Sequence, residues 1–217
     1  MIAETTKADT RANIGLVLDG TMNREALREV KSYANLIVDS FQVSDDASRF
    51  SVMWFGYRPI LEFSFKDKLN ADDVKDRITA GGRQYGVPRT DKALQDAADV
   101  MFNNDNLGDR SSLPKVLILL TTDSARSNSR DLDRAVDSLK KADIKSMVVV
   151  IGDGIKNDLK KIAPKEEVVF RVDDVDDLPE TKDPVVDRVV NNANVKGEVS
   201  TSPDIRFNKL NLEPAPK

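Results

Sequence analysis

The chain has 217 residues, 40% of them hydrophobic, and a net charge of −4. That is enough apolar material for one sizeable core, and the interspersed charge argues against a dedicated nucleic-acid binder, which would carry a basic face. Cys and His are both absent. This excludes disulfides, thiolate zinc sites, cysteine nucleophiles and imidazole acid–base steps, so any metal must be held by oxygen, as magnesium, calcium and manganese are.

No apolar run approaches the length of a membrane span. The start, Met1-Ile-Ala-Glu-Thr-Thr-Lys7, lacks the apolar core of a signal peptide, which suits either a cytosolic protein or a mature form beginning at an added Met. Residues 1–12 read as a polar lead-in. Ile14–Leu18 is a short apolar run, read as a strand buried on both faces, and it ends abruptly in Asp19-Gly20-Thr21. A helix follows over about Arg24 to Phe41, with Ala26, Leu27, Val30, Ala34, Ile37, Val38 and Phe41 at helical spacing. Phe50–Phe55 and Ile60–Phe65 are rich in aromatic and β-branched residues. Separated by Gly56-Tyr-Arg-Pro59, they predict a hairpin with one edge strand.

Asn70 is placed to cap a short helix from Ala71 to about Ala80. The glycine-rich stretch 81–89 reads as a loop. Thr90 then opens a helix to Met101 whose inner face is Ala93, Leu94, Ala97, Ala98 and Met101. Val116–Leu120 is a second buried run, ending in Thr121-Thr122-Asp123-Ser124. Ser129 or Asp131 is expected to cap the next helix, with Leu132, Ala135, Val136 and Leu139 inward. Met147–Ile151 is a third buried run. A short helix over 157–162, a strand over Val168–Val172 and a last helix around Val185–Val190 complete the pattern. Strands alternating with helices call for a three-layer α/β sandwich: a mainly parallel central sheet with one antiparallel edge strand and helices on both faces. The domain is expected over 13–194, with 195–217, rich in Gly, Ser, Thr and Pro, as a tail or linker.

Three polar clusters are expected at one end of the sheet: Asp19 to Asn23, the loop before Thr90, and Thr122 to Ser124. Carboxylate, hydroxyl and amide oxygens converging at strand ends suit a hard cation. In order and spacing, Leu18-Asp19-Gly-Thr-Met-Asn23, Gly86-Val-Pro-Arg-Thr-Asp-Lys-Ala-Leu94, Pro114-Lys-Val-Leu-Ile-Leu-Leu-Thr-Thr-Asp123 and Ile144-Lys-Ser-Met-Val-Val-Val-Ile-Gly152 resemble the von Willebrand factor A domain family. The resemblance spans about residues 12–193.

That family's clusters form a metal ion-dependent adhesion site, and the resemblance implies a degenerate version here. Asp19 matches the first ligand, Thr21 keeps a hydroxyl where the family has Ser, and Asn23 offers an amide oxygen in place of a second Ser. The loop threonine falls on Pro88, so Thr90 would substitute. The second aspartate falls on Thr122, with Asp123 one residue late. Two readings stay open: polar strand-end and cap residues that hold no metal, or a weak magnesium or calcium site on Asp19, Thr21, Asn23, Thr90 and Asp123. The implied function is non-enzymatic protein binding of adhesion or extracellular-matrix type, to collagen or another matrix protein. The expected partner face is Met22, Val87, Pro88, Arg89, Thr122 and Ser124. The implied location is extracellular, within a longer precursor; the alternative is a cytoplasmic scaffold in a larger complex.

Val17-Leu-Asp-Gly-Thr21 also resembles the first motif of haloacid-dehalogenase-type phosphatases, but Val17 stands where those enzymes place the nucleophilic aspartate. Trp54 reads as core. The string Arg171 to Asp177 lacks the Gly and Glu of a calcium-binding EF-hand loop, and Gly108-Asp-Arg110 is not the Arg-Gly-Asp adhesion tripeptide.

Overall fold

A computed structural model describes residues 7–122, 128–152, 161–163 and 169–194. The first apolar run forms β1 (Asn13–Asp19), every residue of which is buried. It is followed by helix α1 (Arg24–Asp39), then β2 (Arg49–Phe55) and β3 (Pro59–Phe63). Helix α2 is Ala71–Ala80, with Asn70 accepting from the Asp72 and Asp73 amides as its cap. Helix α3 (Thr90–Asp96) leads through a π turn (Ala97–Met101) to the short α4 (Asn104–Leu107). Then come β4 (Lys115–Thr122), α5 (Ser129–Lys141), β5 (Ile144–Ile151), β6 (Val169–Val172) and α6 (Lys182–Asn194).

The sheet order is β3-β2-β1-β4-β5-β6. All neighbours are parallel except the edge pair β2–β3, as the hairpin predicts. Alternation along the strands sorts side chains to two helical layers. Ile14, Leu16 and Leu18 of β1 share a core with α1, α2 and α6 residues, whereas Val17 shares one with residues of α3, the π turn and α5. The expected three-layer sandwich is therefore the fold observed.

Gly15 explains how closely the second layer approaches. A Cβ there would lie 2.6 Å from Met101 Sδ and 2.7 Å from the Phe102 ring. The π turn, closed by the Phe102 amide on the Ala97 carbonyl at 3.0 Å, carries both side chains onto this bare strand. The extra residue per turn is not visible in the helical periodicity of 90–101, which extends unbroken to Met101.

Other boundaries moved for local reasons. The cap of α5 is Asn128, not Ser129 or Asp131: its side chain accepts from the Arg130 and Asp131 amides. Part of the expected lead-in is tied down, since Ala8 exchanges backbone hydrogen bonds with Ser40 and Gln42. Most of the expected helix over 157–162 and the whole of the 195–217 tail lie outside the described residues. The acidic string leaves β6 and enters a 3-10 helix (Val175–Thr181) whose cap, Asp174, is paired reciprocally with Asp177. Arg110 is buried beneath the N-terminal ends of β1 and β2. There it donates to Asn13 Oδ1 and to the carbonyls of Ala12, Asp45 and Ala47.

Candidate functional site

From β1 the chain returns on one side to β2 and on the other, later, to β4. The C-terminal ends of β1 and β4 therefore flank the point where the strand order reverses, which is where open α/β sheets leave a crevice. Asp19 stands in that crevice. It is fully buried, and its Oδ1 accepts from the Thr21 amide at 2.9 Å and the Thr21 hydroxyl at 2.7 Å. Its Oδ2 accepts from the Thr122 hydroxyl at 3.3 Å, a bond that spans the crevice from β4. Burial pushes the Asp19 carboxyl above its ordinary value, against the opposing pull of these three hydrogen bonds.

Two residues downstream of Thr21, Asn23 is exposed and points the other way along the chain. Its Oδ1 accepts from the Ala26 amide at 2.9 Å and caps α1. Met22 is half-buried between them.

The loop 81–89 lies directly over these strand ends. The Gln84 amide donates to the Gly20 carbonyl at 2.8 Å, the Tyr57 amide to the Tyr85 carbonyl at 3.1 Å, and the Arg89 amide to the Gly56 carbonyl at 2.9 Å. Gly82 and Gly86 adopt φ of +106° and +83°, a region that other residues enter only under strain. Trp54 sits in the core beneath the first two glycines of the loop. Pro88 is buried, Arg89 half-buried and Val87 exposed, so the expected partner face is only partly outward.

Thr90 is buried at the start of α3, and its hydroxyl has no hydrogen-bond partner among the described residues. Next to it, Asp91 is buried and grips Arg89 through two bonds, Arg89 Nε to Oδ1 at 2.8 Å and Nη2 to Oδ2 at 2.5 Å. The Asn128 amide also donates to Asp91 at 3.3 Å. Burial would raise the Asp91 carboxyl, but the Arg89 fork and the Asn128 amide outweigh it and hold the carboxyl below its ordinary value. This carboxylate thus links the end of the glycine-rich loop to the cap of α5.

The crevice is flanked by surfaces of opposite sign. An open groove beside α1 is lined by Met22, Glu25, Glu29, Asp173, Asp174 and Asp176 among others. On the hairpin side, Tyr57 and Tyr85 are 53% and 75% exposed, Lys92 lies 4.2 Å from the Tyr57 ring centre, and Arg83 lies 5.6 Å from that of Tyr85.

Of the sequence-derived candidates, the structure brings Asp19, Thr21 and Thr122 into one hydrogen-bonded cluster. Asn23 serves the helix cap, Thr90 is buried at a helix start, and Asp123 and Ser124 lie outside the described residues. Sequence reasoning missed Asp91, Tyr57 and Tyr85. The two tyrosines could have been flagged, because each is an aromatic in a turn or loop among polar and glycine neighbours, where a core role is not available.

Comparison with known proteins agrees with this arrangement. Residues 13–184 match the von Willebrand factor type A domain family. The human collagen alpha-5(VI) chain is 30% identical over 145 residues, covering 65% of this chain and 5% of that one. Rat von Willebrand factor A domain-containing protein 1 is 30% identical over 152 residues, covering 69% of this chain and 35% of the relative. Chicken matrilin-1 is 26% identical over 68% of this chain and 29% of its own length. The chain thus spans about a third or less of these relatives. Among solved structures, proximal thread matrix protein 1 from the mussel byssus superposes with a TM-score of 0.78 at 21% identity, covering 85% of this chain and 49% of that one. A further structure of that protein has a zinc-occupied MIDAS motif. With its family match running from β1 to the start of α6 and its strand ends arranged around Asp19, the chain belongs to the von Willebrand factor type A domain family.

Proposed function

We propose that this domain is a non-enzymatic protein-binding module of extracellular-matrix type, acting within a longer extracellular protein, and that a collagen or another matrix protein docks on its strand-end face. The observation that carries this reading is the loop 81–89. It is pinned to Gly20, Gly56 and Tyr57 by backbone hydrogen bonds, yet it holds Tyr85 and Val87 outward. A loop already ordered before binding loses little conformational entropy in the complex, so outward apolar side chains on it convert efficiently into affinity. The relatives, which include a collagen VI chain and a matrilin, support the matrix setting.

The non-enzymatic part of this reading rests on the family and on the departure from the phosphatase motif. The position a phosphatase of the haloacid-dehalogenase type would need for its nucleophile is Val17, which is buried in the core.

A divalent cation of the family's kind is only partly accommodated. Asp19 offers one carboxylate and Thr21 a hydroxyl, and the unpartnered Thr90 hydroxyl is a further oxygen at the loop. Asn23 would have to leave the α1 cap to join them, and Pro88 has no side-chain oxygen. Such a set would hold magnesium or calcium weakly, through Asp19 and Thr21 first, and the cation would there offer an open position to a partner's carboxylate.

The test is solid-phase binding to immobilised collagens, including type VI, and to other matrix proteins, with and without chelator. Saturable binding that weakens about tenfold on Val87→Asp, a difference of about 1.4 kcal/mol, is expected. Absence of binding to every matrix protein, or binding indifferent to Val87→Asp, would rule the reading out.

A further inference from the structure

We infer that the partner engages this face from the hairpin side, on a cationic aromatic patch built by Tyr57, Tyr85, Arg58, Arg83 and Lys92, and that it presents there an extended peptide alternating carboxylates with apolar side chains. The inference rests on the protein-binding reading above and names the chemistry of the partner.

The patch is one continuous surface. Tyr57 and Tyr85 are joined through their backbones at 3.1 Å, and the Gly56 amide donates to the Arg58 carbonyl. Gly86 lies against Tyr57 so closely that a Cβ there would sit 3.0 Å from the tyrosine Cβ. Two of its cations stand over rings, Lys92 over Tyr57 and Arg83 over Tyr85. Among the described residues none of Arg58, Arg83 and Lys92 forms a salt bridge. Arg89, by contrast, is tied to the buried Asp91. Two ring-held cations, Arg83 and Lys92, therefore accompany two largely exposed rings and the 49% exposed Val87, with Arg58 exposed on the adjoining turn; Lys92 also acts through its charge on Asp96, one turn along α3. Such a surface is complementary in charge to carboxylates and in surface character to apolar side chains between them.

The rest of the molecule decides between a peptide and a long polyanion. The chain as a whole is acidic, with a net charge of −4, and the groove across the crevice carries Glu25, Glu29, Asp173, Asp174 and Asp176. A sulfated polysaccharide crossing the whole face would run into that groove and be repelled. A short acidic and apolar segment is met by the patch alone.

The experiment is selection of a random-peptide library on the immobilised domain, followed by fluorescence anisotropy of the selected peptides and of a heparin fragment. Enrichment of Glu and Asp alternating with apolar residues is expected. Affinity should fall about tenfold on Tyr85→Ala, fall again on Lys92→Gln, and weaken as salt rises. Tyr85 is exposed and Lys92 half-buried, and thermal melting verifies the fold. Selection of neutral or basic peptides that still lose affinity on Val87→Asp would overturn this inference while leaving the protein-binding reading intact. Peptides indifferent to Val87→Asp and Tyr85→Ala alike would sink both. Tighter binding of the heparin fragment than of any acidic peptide, or a library that yields no binder, would also overturn the inference.

Discussion

Gly20 and Gly82 meet backbone to backbone: a Cβ on Gly20 would lie 2.1 Å from the Gly82 carbonyl oxygen and 2.7 Å from Gln84 Cγ. The strand end and the glycine-rich loop can approach this closely only because position 20 has no side chain. Gly20→Ala is expected to lift the loop, breaking the Gln84 bond to the Gly20 carbonyl. The stability loss should be about 1–3 kcal/mol, typical of overpacking, with a larger proportional loss of partner binding. Denaturant titration and the collagen assay measure the two effects separately.

The Arg89–Asp91 fork should matter most near neutral pH. Asp91 is held below its ordinary carboxyl value, so its contribution to stability is present above about 4 and is lost as pH falls through the lowered value. Asp91→Asn should cost about 1.5–3 kcal/mol at pH 7, the range for charge-assisted hydrogen bonds, and the gap to wild type should narrow on acidification. Urea unfolding at several pH values tests the sign.

Asp19 carries the opposite sign. Its carboxyl is raised by burial, so the protonated form favours folding below the ordinary value of 3.8, and that contribution is lost as pH rises through the raised value. Asp19→Asn fits the same cluster, with Oδ1 accepting from Thr21 and Nδ2 donating to Thr122. It should therefore raise stability at pH 7 in chelator, with the gain vanishing in acid. Added magnesium or calcium should raise the Tm of wild type slightly and leave Asp19→Asn unchanged. A metal-induced shift in both proteins would remove Asp19 from the cation's ligands.

Asn23 separates cap from ligand. Asn23→Ala should cost about 1 kcal/mol of stability through loss of the α1 cap and leave any calorimetric metal affinity near its wild-type value. A lost metal signal with unchanged stability would reverse that assignment.

Arg110 offers a stability prediction remote from the face. Arg110→Ala removes donors to Asn13 and to the Ala12, Asp45 and Ala47 carbonyls. Leaving several buried acceptors unpaired should cost at least about 3 kcal/mol, seen as a lower midpoint in urea, with peptide binding at the far end of the sheet retained at low temperature.

Local periodicity and capping chemistry made much of the architecture legible from the amino-acid order. The buried run before Asp19, the Gly56-Tyr-Arg-Pro59 hairpin, the Asn70 cap and the inner face Ala93, Leu94, Ala97, Ala98 and Met101 are short-range patterns, and all appear in the structure. The family was legible too, because the order and spacing of its strand-end clusters survive in the chain. What tertiary structure alone decided depends on residues distant in sequence. Asp91 looks like an ordinary first-turn acid of α3, paired locally with Arg89, until the Asn128 amide reaches it from the cap of α5. Pro88 and Val87 are neighbours, but only packing turns one inward and the other out. Tyr57 and Tyr85 become one surface because the loop before α3 folds back over the hairpin turn. A linear pattern records which face of its own element a side chain occupies. Which element closes over that face, and which charges it brings, is settled only when the strands take their order in the sheet.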